Sequence, residues 1–151
     1  MTTLPTLLIK TLHNKALIQK AKKLDNTGIV IQQNEYSFLK IKDEYIHDLY
    51  KLLDNTKAQK PDYFSKPEMI GAHITIAYPE ENITLHTDDI GKNHSFSIKN
   101  FNHVTLGNKQ YLVLIISSPS LIQLRAKYNL PSKPDYKGVA IDFHITIATY
   151  S

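Results

Sequence analysis

Cysteine is absent from the 151 residues of the chain. Its absence excludes a disulfide scaffold, thiolate zinc sites and cysteine nucleophiles, and it is typical of a protein in a reducing compartment. No apolar run has the length of a membrane span, and the first residues lack the charged and apolar regions of a signal peptide. We therefore expect a cytoplasmic protein that contacts no membrane, with one domain large enough to bury a core.

Arginine is nearly absent as well, and the basic residues are unevenly spread. Arg125 is the only arginine among 18 basic residues, so side chains that can bind a phosphate through two parallel hydrogen bonds are scarce. Residues 1–24 contain five Lys and no acidic residue, and because the whole chain carries +4, residues 25–151 carry a net −1. Long nucleic acids require a basic stripe. We therefore expect a monomer that binds a small ligand or the end of a longer one, and no long duplex DNA.

A repeated string is the most informative feature that the sequence does contain. HITIA occurs at residues 73–77 and again at 144–148, and Lys-Pro-Asp-Tyr precedes each copy, at 60–63 and 133–136. The surrounding segments repeat one order of predicted elements: a hairpin, a helix, a loop and a strand. The first set comprises a hairpin over 27–42, a helix over 44–55 with Asp43 at its N-cap, and a strand over 69–78. The second comprises two strands within 94–117, a helix over 118–129 that begins at Ser118 and Pro119, and a strand over 139–149.

The duplicated order predicts a fold class. We expect a single α+β domain over 1–151 with two lobes related by a pseudo-two-fold axis, in which two antiparallel sheets form a central groove and the helices pack outside. Residues 1–25 are assigned to a basic N-terminal extension, with a short helix over 15–24 capped by Asn14. The remaining boundaries are a first lobe over 27–78, a linker over 79–93 and a second lobe over 94–151.

The two strings also suggest chemistry. Side chains alternate across a strand, so in each copy the His and the Thr share one face and both Ile share the other. Paired strands would then place two imidazoles and two hydroxyls on one surface. Histidine titrates near neutral pH, so one ring can act as general base while the other acts as general acid. A single His-x-Thr is ordinarily a solvated strand edge, but two copies in matching contexts favour a shared site.

Segments 73–76 and 144–147 resemble the paired His-x-Thr/Ser motifs, each followed by an apolar residue, of the two-histidine (2H) phosphoesterase superfamily. The resemblance covers the chain from about residue 27 onward and implies an RNA ligase-like or cyclic phosphodiesterase fold. It implies that His73 and His144 are the catalytic acid and base, and that Thr75 and Thr146 bind the phosphate. It further implies metal-independent hydrolysis of a phosphodiester in a nucleotide or RNA terminus, such as a 2′,3′-cyclic phosphate, a 2′-5′ linkage or a small cyclic nucleotide, with ligation as the reverse reaction.

The division of roles between the two histidines is less constrained. The family pattern favours His144 as base, whereas Asp142, two positions earlier on the same strand face, favours a protonated imidazole there. We take His144 as the base. The alternative function is a non-catalytic nucleotide-binding or protein-interaction module that retains the groove and uses the Lys-rich N-terminus as its contact surface.

Residues of the Lys-Pro-Asp-Tyr loops are candidates for substrate binding. Tyr63 and Tyr136 can stack on a base or anchor their loops, and Lys133 can attract phosphate or remain solvated, as can Lys60. Tyr78 and Tyr150 are expected to cover the core. The five other histidines follow no pattern of metal ligands, so no metal or other cofactor is predicted.

Overall fold

Two four-stranded antiparallel sheets make up most of the fold, in a computed structural model that describes residues 5–53, 57–61 and 70–150. The first sheet has the strand order β4-β3-β2-β5, and its strands are β2 (Thr27–Gln33), β3 (Tyr36–Lys40), β4 (His73–Ala77) and β5 (Asn93–Ser95). The second has the order β1-β6-β7-β10, and its strands are β1 (Leu7–Leu12), β6 (Ser97–Leu106), β7 (Lys109–Ser117) and β10 (His144–Tyr150). The predicted α+β class and the two antiparallel sheets are confirmed.

Two edge strands pair across the predicted division of the chain. Strand β1, from the segment assigned to an extension, pairs with β6 of the second sheet. Strand β5 begins at the last residue of the predicted linker and pairs with β2 of the first sheet. Each sheet therefore receives one edge strand from outside its own predicted lobe. The division into lobes remains a prediction, but no strand was predicted over residues 7–12.

Three helices flank the sheets, and the caps of two agree with prediction. Helix α1 (Lys15–Lys23) is capped by Asn14, whose side chain accepts a hydrogen bond from a backbone N–H of the first turn. Helix α3 (Pro119–Lys127) is capped in the same way by Ser118 and begins at a proline, whose missing N–H is not needed there. None of the helices in the described part of the chain has the length and apolar character required to span a bilayer.

Helix α2 is shorter than predicted. It spans Glu44–Tyr50 rather than 44–55, because the backbone tightens into three-residue turns at Leu52 and Leu53. Asp43 is at the N-cap, as predicted, but its carboxylate makes no capping hydrogen bond. It accepts hydrogen bonds from Lys40 and from the backbone N–H of Ala72 instead. The residue predicted to start a helix therefore holds the chain that enters β4.

The segment before the second HITIA string also differs from prediction. The expected strand over 139–149 is divided, since Val139–Ala140 (β9) pairs with Asp135–Tyr136 (β8) in a small hairpin. Lys137 and Gly138 form its turn, both with positive φ. Strand β10 begins only at His144. The hairpin places Tyr136 beside the groove instead of in an extended loop.

The core lies beneath both HITIA strings. Their isoleucines, predicted to share the inner face, are each at most 1% exposed: Ile74, Ile76, Ile145 and Ile147. The two strings occupy the edge strands β4 and β10, which pack against each other, with α3 against β4 and α2 against β10. The buried isoleucines fix the register of each strand, since a slip of one residue would turn them to solvent.

A buried ion pair ties α3 to the first sheet. Arg125 is 1% exposed and donates two hydrogen bonds to the carboxylate of Glu81, of 2.7 and 3.1 Å. Its guanidinium also donates to the carbonyls of Ile76, Pro131 and Lys133. The single arginine of the chain is therefore used as a structural link between β4, the segment after it and the loop that precedes β8.

Candidate active site

A pocket of about 310 Å³ lies where β4 and β10 meet. Both histidines and both threonines of the repeated strings line it, so the side chains that the repeat predicts to share one surface do so: His73, Thr75, His144 and Thr146. The histidines are partly buried, and Thr75 is 7% exposed. Two imidazoles and two hydroxyls thus converge on one cavity from two different sheets.

The two strings share an irregularity as well as a sequence. Pairing of β4 with β3 shifts between Ala77 and Thr75, and pairing of β10 with β7 shifts between Thr146 and Ala148. In each case the second isoleucine is the extra residue of a β-bulge. A bulge bends an edge strand and redirects its side chains. The same device therefore follows each His-x-Thr and shapes the wall of the pocket.

Each imidazole is oriented by a backbone carbonyl two residues earlier in the chain. Nδ1 of His73 lies 2.8 Å from the carbonyl oxygen of Gly71, and Nδ1 of His144 lies 2.8 Å from that of Asp142. A carbonyl can only accept, so in both rings Nδ1–H is the donor. In the neutral rings Nε2 is therefore the nitrogen that carries no proton, and the two rings have equivalent tautomers.

The carbonyl that orients His73 is itself held in place. Lys40 donates to Asp43 at 2.6 Å and to the carbonyl of Ala72 at 3.1 Å, and Asp43 accepts from the N–H of Ala72 at 3.0 Å. Gly71 has φ of +76°, and a Cβ there would lie 2.6 Å from the Asp43 carboxylate. Only glycine fits this turn without displacing the ion pair. Lys40 and Asp43 therefore hold the peptide that directly precedes the first string.

A second ion pair lies beside His144. Lys133 approaches the carboxylate of Asp142 at 3.1 Å, and both side chains are partly exposed. Both residues line the pocket. Lys133, one of the predicted substrate-binding residues, thus lies at the mouth of the cavity next to the second string. Lys60, its counterpart in the first repeat, instead contacts His47 and the ring of Tyr50.

The surroundings lower the pKa of both imidazoles. Burial lowers the pKa of His73 to about 4, and the charges of His144 and Lys40 act in the same direction, against the hydrogen bond to Gly71. Burial also lowers the pKa of His144, where the hydrogen bond to the Asp142 carbonyl and the Asp142 carboxylate oppose it. Both rings are therefore neutral at pH 7, and the Asp142 carboxylate favours the protonated form of His144.

The pKa of His73 predicts a stability that depends on pH. The unfolded chain binds this proton more tightly, so the contribution is fully present above pH 6.5 and is lost as the pH falls toward 4. A pKa of about 4 against 6.5 corresponds to on the order of 3 kcal/mol. We expect wild type to lose this much more free energy of unfolding than His73→Gln between pH 7 and pH 4, measured by urea denaturation. Parallel pH profiles for the two proteins would contradict the shift.

Aromatic side chains form one wall of the pocket, and three of them were not predicted as site residues. The Tyr36 hydroxyl is hydrogen-bonded to that of Thr75 at 2.5 Å, and its ring meets the edge of His73. Burial raises the pKa of Tyr36 to about 12, so the hydroxyl stays protonated. Tyr78, expected to cover the core, lines the pocket instead and packs on Tyr136 with ring centroids 5.1 Å apart. Tyr111 also lines the cavity.

The position of Tyr36 could have been found from the sequence only by pairing β3 with β4. Strand pairing places Ser37 and Phe38 opposite residues of the first string. Tyr36 directly precedes Ser37, so its side chain comes within reach of Thr75 once β3 and β4 are paired. Tyr136, predicted to bind substrate, lines the pocket. Tyr63, also predicted to bind substrate, lies outside the described residues.

The remaining histidines lie away from this cavity. His86 stacks on Tyr128, His94 contacts Ser120 and His103 contacts Gln110. Tyr150 packs against the core, as expected. Across residues 5–53, 57–61 and 70–150, no group of three His, Asp or Glu side chains is arranged to hold a metal ion.

Comparison with known proteins agrees with this geometry. A family model described as 2H-SAK, Swiss Army Knife, 2H phosphoesterase domain, matches residues 37–151, which include both strings. Searches of curated proteins and of solved structures gave no match. Because the family model covers most of the sequence and both of its repeated motifs, the chain belongs to the 2H phosphoesterases.

Proposed function

We propose that this phosphoesterase hydrolyses a phosphodiester of a nucleotide or RNA terminus, with His73 and His144 as the pair that transfers protons and without a metal ion. One observation carries the proposal. The two imidazoles enter one pocket from different sheets, and in each ring Nδ1–H donates a hydrogen bond to a backbone carbonyl. This arrangement gives both rings the same tautomer, and we assign the proton transfer to Nε2, so that chemically identical groups supply one base and one acid.

The proposed reaction needs one proton transfer on each side of phosphorus. A neutral imidazole takes a proton from water through Nε2 as the water oxygen bonds to phosphorus. The bond from phosphorus to the leaving oxygen breaks, and the other ring, protonated at Nε2, gives its proton to that oxygen. The products are a phosphomonoester and an alcohol, or one product with both groups when the substrate is cyclic. Proton exchange with solvent then restores both rings.

Electrostatics support His73 as the base and His144 as the acid. The environment of His73 opposes a positive charge through burial and through the neighbouring Lys40, so the ring is ready to accept a proton at neutral pH. Asp142 favours the imidazolium at His144, and the anionic phosphate of a bound substrate adds to this effect. This assignment reverses the one taken from the sequence, where the family pattern outweighed the charge of Asp142.

The two threonines are proposed to bind the non-bridging phosphate oxygens, where negative charge must be stabilised. The Thr75 hydroxyl shares a hydrogen bond with Tyr36, whose raised pKa keeps it a donor, so Thr75 can direct its own proton toward the ligand. Lys133 at the pocket mouth adds a positive charge that can turn from Asp142 to the phosphate. Together these groups place donors on both sides of the anion.

Activity against a panel of phosphodiesters tests the proposal. The protein is incubated with EDTA and with 2′,3′-cyclic nucleotides, 2′-5′-linked dinucleotides or cyclic dinucleotides, and the products are separated by chromatography. We expect turnover of at least one class in EDTA, and none by a preparation of the double variant His73→Ala/His144→Ala purified in parallel. Binding without turnover across the panel would instead support a non-catalytic nucleotide-binding module. Turnover that EDTA abolishes would contradict the metal-independent reaction.

A further inference from the structure

The pocket has a second end that the proposed proton transfer does not use. Beyond the histidines and threonines, its floor is the face of the second sheet formed by β1, β6 and β7. The side chains there are aliphatic: Leu7, Ile9, Val104, Leu106, Val113 and Ile115. Among the described lining residues, the polar groups are gathered near the two strings, apart from the Tyr111 hydroxyl in this floor.

Strand β1 supplies the outer part of this floor. Leu7 pairs with Leu106 and Ile9 with Val104, so β1 continues the sheet by one strand beyond β6. Alternation along β1 sends Leu7 and Ile9 to the pocket, while Lys10 and Leu12 line a separate cavity on the opposite face. The match to the family model begins at residue 37, so β1 lies outside the matched segment.

The shape and chemistry of the floor restrict what can occupy it. A cavity of about 310 Å³ lies at the lower end of the range for small-ligand pockets. Ile9 is 52% exposed, so the outer end of the floor is open to solvent on one side. An alkyl chain bound on such an open surface would keep much of its own surface in water. A flat group with an apolar face and polar edges matches it better, because the face is covered while the edges remain hydrated.

We propose that β1 forms a base-binding subsite, which covers one face of the nucleobase next to the reacting phosphate without reading its hydrogen-bonding edge. The proposal rests on the proposed function, since it assumes that the phosphodiester belongs to a nucleotide. The aliphatic floor offers every nucleobase the same contact, because each has an apolar face. Discrimination among bases is then weak, whereas the presence of a base matters.

Paired substitutions on β1 test the subsite. Ile9→Asp places a charge on the floor, and Leu8→Asp makes the same change at the neighbouring residue, which is 61% exposed and absent from the pocket lining. Values of kcat/KM are measured for the four 2′,3′-cyclic nucleotides and for the base-free methyl riboside 2′,3′-cyclic phosphate. Binding of adenosine 2′-phosphate and of methyl riboside 2′-phosphate is measured by calorimetry, which does not require turnover.

We expect wild type to prefer each cyclic nucleotide over the base-free compound by roughly tenfold, the effect of removing on the order of 50 Å² of apolar surface from water at about 25 cal/mol per Å², with less than about tenfold variation among the four bases. Ile9→Asp should reduce this preference several-fold, and Leu8→Asp should leave it as in wild type. Equal kcat/KM values with and without a base, or a strong preference for one base, would overturn the subsite while the proposed function stands. Base-dependent binding that Ile9→Asp weakens, without any turnover, would support the subsite and refute the proposed hydrolysis.

Discussion

Replacing either His73 or His144 with Ala is expected to lower turnover by roughly 10²–10⁴-fold, the usual contribution of one general acid or base. Both rings are proposed to transfer a proton in the same reaction, so the two losses should be of similar size. The measurement is kcat on whichever cyclic nucleotide the wild type hydrolyses best. His13→Ala is the matched control, because His13 is exposed and lines a cavity on the other face of the second sheet. Near-wild-type turnover by a folded His73→Ala or His144→Ala protein would refute the two-histidine reaction.

The pH dependence of kcat/KM separates the two roles, because it reports the pKa values of the free enzyme. With His73 as base, the acid limb lies near its pKa of about 4. With His144 as acid, the alkaline limb lies below 6.5, since burial lowers that pKa as well. We expect a bell-shaped profile of kcat/KM against pH, with its optimum below pH 7. Residual activity should lose the acid limb in His73→Ala and the alkaline limb in His144→Ala, and the opposite pattern would identify His144 as the base.

Removing Arg125 is expected to have the largest effect on stability. Arg125 is 1% exposed, and the paired Glu81 side chain is 5% exposed. Arg125→Ala leaves the carboxylate of Glu81 buried without its counter-charge and deprives three carbonyls of their donor. Loss of one partner from a buried pair typically costs about 3–5 kcal/mol. Urea denaturation of the purified variant measures this loss directly.

Lys127→Ala provides the comparison on the same helix. Lys127 also forms an ion pair, with Asp89 at 2.9 Å, but its side chain is 52% exposed. Solvent screens such a pair, so we expect little change in the free energy of unfolding. A loss in Arg125→Ala no larger than that in Lys127→Ala would mean that the buried network does not hold α3 to the first sheet.

The chemistry-bearing residues could be predicted from the sequence because the repeat specifies them twice. Strand alternation in HITIA separates a buried isoleucine face from a His and Thr face, and the structure has this separation in both copies. The helix starts at Asn14 and Ser118 were predictable for a local reason, since a polar side chain before a helical segment satisfies nearby backbone N–H groups.

Features that depend on distant contacts could not be predicted in this way. Asp43 has the sequence context of a helix cap, but the competing partners Lys40 and Ala72 become available only when β3 and β4 pair. Tyr36 and Tyr78 have the composition of core residues, and it is the meeting of the two sheets that exposes them to a pocket. The place of β1 beside β6 follows from a pairing across about ninety residues, for which local periodicity gives no signal.

The pairing of β1 with β6 and of β5 with β2 has a consequence for how the chain folds. During synthesis β1 emerges first but has no neighbour until β6 has been made, and the first sheet gains its last strand only when β5 appears. Neither predicted lobe contains all four strands of its own sheet. Pairings between such distant segments slow folding, because the loop between them must close before the contacts form. Evolutionary or engineered separation of the two repeats onto different polypeptides would therefore require moving these edge strands as well as cutting the linker.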